Sequence, residues 1–242
     1  MEAIKTVNLT KRYKDTVATC RLNLEIREGE LFSLLGVNGA GKTTTIKMLS
    51  CLTKPTEGKA TVGGYSIGRE DIMIKKIIGV SPQNTAVAPN LSVRENLELI
   101  CGVHGIRGDA KKAKIEQLSN QFDLKPILSK RAGKLSGGWQ RRLSIAMALI
   151  SEPSILFLDE PTLGLDVIAR CELWELIRGL KGKITVILTT HYMEEAEALS
   201  DRVGIMKDGQ LLVVGTPREL MEKTSSASFE EAFISIVRET KI

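Results

Sequence analysis

The sequence predicts an α/β fold with a mainly parallel sheet, an antiparallel β subdomain and an inserted helical subdomain. Three observations carry that expectation. Short β-branched or alternating apolar segments fill the first third. Helical patterns fill the middle, residues 89–150. Strands alternating with helices return afterwards, the order that builds a parallel sheet covered on both faces.

Taken in order, Ala3–Leu9, Thr19–Ile26, Glu30–Leu35 and Lys59–Tyr65 are expected strands, separated by polar and glycine turns such as Arg27-Glu28-Gly29. A helix is expected over Lys42–Leu52 after a glycine-rich turn. In the middle, Leu91–Leu97 and Asp109–Phe122 pattern as helices, the first capped by Ser92 with Glu95 three residues on. Strands then follow at Ser154–Leu158, Ile184–Thr189, Val203–Lys207 and Gln210–Val214, with helices at Ile168–Leu180 and Met193–Leu199. Lys207-Asp208-Gly209-Gln210 is a hairpin turn. Two capping boxes, Thr216-Pro217-Arg218-Glu219 and Ser228-Phe229-Glu230-Glu231, open two short C-terminal helices. The organisation expected is a single domain over 1–242. Within it, 1–88 and 151–215 form the β subdomain and core, 89–150 the helical subdomain, and 216–242 the C-terminal helices.

Composition narrows the class. The chain has 242 residues, 43% apolar and 26% charged, which is ordinary for one globular domain. Its net charge of +5 is not gathered into a basic block, so no nucleic-acid partner is expected. Cys20, Cys51, Cys101 and Cys171 are far apart and form no C-x-x-C pair, which points to reduced thiols rather than a zinc site. No run approaches the ~20 apolar residues that span a bilayer. Met1–Thr6 lacks the apolar core of a signal peptide.

The chemistry begins at Gly36-Val37-Asn38-Gly39-Ala40-Gly41-Lys42-Thr43-Thr44, a full G-x-x-x-x-G-K-[ST] match between an apolar strand and a helix. Glycines let backbone amides turn inward around phosphates, and the helix N-terminus adds partial positive charge. Lys42 is expected on the β- and γ-phosphates and Thr43 on Mg²⁺. Ile155–Leu158 is an apolar strand ending in Asp159 and Glu160. A carboxylate at the C-terminal edge of a parallel strand sits beside the phosphate loop, which suits Asp159 to Mg²⁺ and Glu160 to the attacking water. These two motifs define a P-loop nucleoside triphosphatase core. Between them, Leu135-Ser136-Gly137-Gly138 places a hydroxyl and two glycines at a helix start, a second anion-binding N-terminus.

With those residues in this order the chain resembles the ATP-binding subunits of ABC transporters over essentially its whole length. The resemblance implies that Tyr13 stacks on adenine and that Gln83 touches Mg²⁺ and senses a transmembrane partner. It implies that Ser136, Gly137 and Gly138 belong to the signature motif, that Asp166 lies in the D-loop at a dimer interface, and that His191 is the switch histidine on the γ-phosphate. Trp139 and Leu163 depart from the family pattern. The implied mechanism is a head-to-tail dimer, of two copies or with a related subunit, closed over two ATP molecules. Soluble relatives in translation carry two nucleotide domains, and DNA-maintenance relatives insert long coiled coils. This chain has one motif set and no sustained heptads, so a transporter motor is implied, held at the cytoplasmic face of the membrane by a permease on another chain. Thr190–Glu197 and the tail around Phe229–Phe233 resemble exporter-type subunits of the class often called ABC-2.

Overall fold

Strand pairing in the computed structural model, which describes residues 1–239, divides the chain into two sheets. The first is antiparallel and contains β1 (Glu2–Tyr13), β2 (Thr16–Arg27), β4 (Glu57–Val62) and β5 (Tyr65–Ser66) in the order β2-β1-β4-β5. The second contains β3 (Leu31–Leu35), β6 (Ile78–Ser81), β7 (Ile155–Asp159), β8 (Thr185–Thr190), β9 (Arg202–Lys207) and β10 (Gln210–Gly215) in the order β10-β9-β3-β8-β7-β6. All its pairs are parallel except β9 with β10. Every residue of β3, β7 and β8 is buried, as expected of mainly apolar strands covered on both faces, and the polar Ser33, Asp159, Thr185, Thr189 and Thr190 are buried with them. The expected hairpin joins β9 to β10, with Asp208 and Gly209 both at positive φ and Lys207 paired to Gln210.

Helix α1 (Lys42–Leu49) packs between the sheets, so Ile46, Met48 and Leu49 share a core with Ile4, Leu22, Phe32 and Phe157. It ends earlier than the expected Leu52. Ser50 returns its hydroxyl to the Ile46 carbonyl at 2.7 Å, and Cys51 turns left-handed at φ 57°. On the other face of the large sheet lie α3 (Val93–Val103), α4 (Gly108–Gln121), α5 (Gly137–Ala148) and α6 (Val167–Arg178). Their Leu97, Cys101, Leu118, Leu143 and Leu173 share a core with Leu156 and Leu158 of β7. The Ser92–Glu95 box that starts α3 is complete.

The expected strand Lys59–Tyr65 breaks at Gly63 and Gly64, both at positive φ, into β4 and β5. Helix α2 (Asp71–Ile77) and the edge strand β6, which pairs with β7, escaped the sequence patterns. Their run Ile77-Ile78-Gly79-Val80 is too short for its periodicity to announce either state. At the C-terminus α7 (Met193–Leu199), α8 (Pro217–Thr224) and α9 (Phe229–Glu239) follow. Phe229, Phe233 and Ile236 of α9 pack with Leu35 and Ile205 of the sheet. The Thr216–Glu219 box is complete. The Ser228 box is only half formed. Glu231 N–H donates to Ser228 Oγ, while the Glu231 carboxylate accepts from Ala227 N–H, one residue before the expected donor. Residues 240–242 of the expected C-terminal segment lie outside the described residues.

Candidate functional site

Parallel strands of one sheet deliver their carboxyl ends to one edge, and that edge is where a ligand meets the most polar backbone. Here Leu35 of β3 is level with Thr190 of β8, and Asp159 of β7 with Thr189 of β8. The turn from Gly36 to Gly41 leaves this edge and feeds α1. Two glycines in it are sterically required. A Cβ on Gly36 would stand 2.4 Å from the Met206 carbonyl oxygen. One on Gly41, at φ 98°, would stand 2.3 Å from that of Ala18.

A cavity of about 560 Å³ opens over this turn. Its wall includes Asn38, Gly39, Ala40, Gly41, Lys42, Thr43, Thr44, Gln83, Glu160 and His191. The start of β2 (Thr16, Val17 and Ala18) and Leu163 complete it, and none of these four was expected as a wall residue.

At the floor Lys42, 5% exposed, donates to the Gly36 carbonyl at 2.6 Å and pairs with Glu160 Oε1 at 3.2 Å. Glu160 Oε2 lies 2.8 Å from His191 Nδ1. Glu160 sits in the left-handed region at φ 49°, and its N–H donates to both the carbonyl and the hydroxyl of Thr189. A non-glycine residue held there costs ~1–3 kcal/mol, a cost met most often at functional sites. Asp159 Oδ1 accepts from Thr43 Oγ1 at 3.0 Å and from Thr189 Oγ1 at 2.6 Å. A hydroxyl beside a carboxylate supplies hard oxygen donors of the kind Mg²⁺ takes together with phosphate oxygens and water, so the donor set fits that ion.

The remaining expected residues are not gathered into this cavity. Gly36 is buried and is not among the wall residues, and Tyr13, 45% exposed, sits across the β1–β2 turn from the wall residue Thr16. The Tyr13 ring lies 4.9 Å from Lys11 Nζ. Ser136, Gly137, Gly138 and Asp166 form a separate patch. A Cβ on Gly137 would meet Leu165 at 3.5 Å, and one on Gly138 would meet Ala169 at 3.2 Å. Asp166 caps α6, accepting from Ala169 N–H at 2.9 Å. Ser136 stands at the N-cap position of α5, yet its hydroxyl makes no capping bond. Trp139 is half-buried, with the Arg142 guanidinium 4.7 Å from its ring.

Three buried residues near the site went unrecognised in the sequence: Thr189, Arg141 and Glu195. Glu195 is fully buried and accepts from Trp174 Nε1 at 3.0 Å. Burial raises its pKa above the ordinary carboxylate value of 4.5, and the charge on Glu160 raises it further. Such a carboxyl binds its proton more tightly in the folded than in the unfolded chain. Folding stability therefore falls as pH rises from 4.5 to the folded value. Glu195→Gln removes that slope, so its melting temperature is expected to gain on wild type across this range. Parallel melting profiles would contradict burial as the cause.

Fold and site together define a nucleoside triphosphatase with a P-loop core. Comparison with known proteins then gives the family. An ABC transporter family model matches residues 20–163, and the chain belongs to that family. It carries the family's ATP-binding, ATP-hydrolysing domain. The probable multidrug ABC transporter ATP-binding protein YbhF of Escherichia coli is 40% identical over 98% of this chain, which spans only 42% of that protein's length. The daunorubicin resistance ATP-binding protein DrrA3 of Streptomyces coeruleorubidus is 40% identical, over 92% of this chain and 71% of that protein. Among solved structures, cbiO1 from Clostridium perfringens, part of the transporter complex cbiONQ, superposes with a TM-score of 0.82. It is 28% identical, over 92% of this chain and 91% of that one. A dimeric ATP-binding cassette bound to ADP and Pi superposes with a TM-score of 0.79 at 30% identity, covering 88% and 98% of the two chains.

Proposed function

We propose that this chain is the motor of an exporter: it pairs head to tail over two ATP molecules and drives a membrane permease carried on another chain. The observation that carries the proposal is the division of the expected site. Lys42, Glu160, His191 and Gln83 line one cavity, whereas Ser136, Gly137 and Gly138 lie on a separate patch whose N-cap hydroxyl makes no capping bond. Half a site on each of two faces is what a composite site between two chains requires, whether the second chain is a copy or a related subunit.

In this reading Tyr13 stacks on adenine. Gly36, Asn38, Gly39, Ala40, Gly41, Lys42 and Thr44 cradle the phosphates. Thr43, Asp159 and Gln83 hold magnesium, which when bound supplies charge neutralisation of the phosphate oxygens. Glu160 takes the proton of the attacking water, and His191, already on Glu160 Oε2, reaches the γ-phosphate. Ser136, Gly137 and Gly138 grip the γ-phosphate bound by the opposite chain, with Asp166 at the seam. ATP thereby favours the closed pair and hydrolysis releases it, a shift in populations driven by differential contacts.

Support for a permease partner is twofold. Among the described residues no helix is long and apolar enough to cross a membrane, and cbiO1 belongs to a transporter complex. The docking place in this reading is beside the Gln83 segment. Exposed Ala86 borders a hollow with Ile78, Val80, Ile100 and His104, between β6 and the helical region. Of the apolar stretch 86–91, Val87 instead packs against the core. Export is supported by relatives whose names specify multidrug transport, daunorubicin resistance and Nod factor export. Docking would hold the chain at the cytoplasmic face of the membrane. The test is affinity capture from detergent-solubilised membranes of the source organism. Recovery of a multi-helix membrane protein is expected; recovery of ribosomes or DNA-repair proteins in its place would overturn the transporter role.

A further inference from the structure

Arg141 lies one helical turn beyond Gly137 on α5, and its side chain is 4% exposed. A guanidinium in such a place is costly unless its donors are satisfied. Its partners are three backbone carbonyls on two other segments, the turn after β6 and the residue that follows β7. Nη1 donates to Pro82 O at 2.7 Å, and Nη2 donates to Gln83 O at 2.7 Å and to Glu160 O at 3.4 Å. Burial draws its pKa below the ordinary arginine value, with Asp159 and Glu195 opposing that shift.

The acceptors give the contact its meaning. Residues 82–88 form no helix or strand, so the Gln83 segment has no ladder to hold it. Glu160 is the strained residue whose carboxylate meets Lys42 and His191. A planar fork reaches both at once and sets their separation, which a point-charge ammonium does not.

We propose that Arg141 is a positioning residue: by bridging the carbonyls of Pro82, Gln83 and Glu160, it fixes the Gln83 segment against the carboxylate that handles the attacking water. The link rests on the ATP-hydrolysing reading of this site. It makes the segment beside the permease hollow and the catalytic carboxylate move as one body, and ties both to the helix that opens at Ser136. Arg141 itself is not among the residues that line the cavity.

The test compares Arg141→Met, Arg141→Lys, Gln83→Ala and the Arg141→Met/Gln83→Ala double variant with wild type, measuring ATP turnover, KM and melting temperature. A misplacement of about 1 Å at a reacting group lowers rate by up to about a hundredfold. Arg141→Met is expected to lose about tenfold to a hundredfold in kcat with KM within about twofold of wild type. Arg141→Lys should recover only part of that loss. Because Arg141 acts through Gln83, the double variant should lie close to the slower single variant. Folded Arg141 variants with wild-type kcat would overturn the inference, as would losses that multiply with that of Gln83→Ala, or a loss confined to KM. Failure of both Arg141 variants to fold would assign the residue to the core instead. A wild-type chain with no turnover would sink the functional reading and this inference together; one with normal turnover leaves the Arg141 comparison decisive by itself.

Discussion

Replacing Glu160 by Gln is expected to reduce ATP turnover by about two to four orders of magnitude, the usual worth of a general base. The substitution keeps the side chain's size and removes its charge and basicity. Glu160 is buried, and its two oxygens are engaged by Lys42 and His191, so the amide takes over a preformed place with little repacking. The groups that hold phosphate and metal are on other residues, so nucleotide binding should persist. ATP that is bound but not cleaved keeps the composite site closed. Phosphate release under single-turnover conditions measures the loss. Near-normal release would move the base to another residue.

Lys42→Ala should act at the binding step. Its ammonium reaches the Gly36 carbonyl and Glu160 from inside the glycine turn, and phosphate oxygens entering that turn would become its partners. A charge-assisted hydrogen bond contributes ~1.5–3 kcal/mol, so affinity for a fluorescent ATP analogue should fall by about tenfold to a hundredfold. The change also leaves the Glu160 carboxylate buried with His191 as its remaining ring partner. Removing one member of a buried pair destabilises, so the melting temperature should fall as well. Unchanged analogue affinity would contradict the role given to Lys42.

What was legible beforehand follows the range of the interactions. The glycine turn, the acid pair ending β7, the Asp208–Gly209 hairpin and two of the three capping boxes are written in residues a few positions apart. Their geometry is local, and the structure holds them much as expected. Arg141 carries no local signal, because its acceptors lie 59, 58 and 19 residues away and carbonyls carry no residue identity. Thr189 is similar: its hydroxyl ties Asp159 to Glu160 from a neighbouring strand, and only the pairing of β7 with β8 brings them level. Glu195 looked like one acid among several in Met193–Leu199, and nothing in its neighbours shows which one turns inward. The second C-terminal box had the right residues, but the Glu231 carboxylate found the donor one residue earlier.

The composite site is tested most directly by light scattering on Glu160→Gln with Mg-ATP, with and without a second change, Gly137→Asp. Gly137 is exposed, a Cβ there meets only Leu165 at 3.5 Å, and it lies outside the wall of its own chain's cavity. Glu160→Gln is expected to double from 26.5 kDa on adding Mg-ATP. The double variant is expected to stay monomeric while binding the fluorescent analogue with unchanged affinity. A Glu160→Gln chain that binds ATP yet remains monomeric, or a double variant that dimerises as readily as the single one, would contradict the composite site.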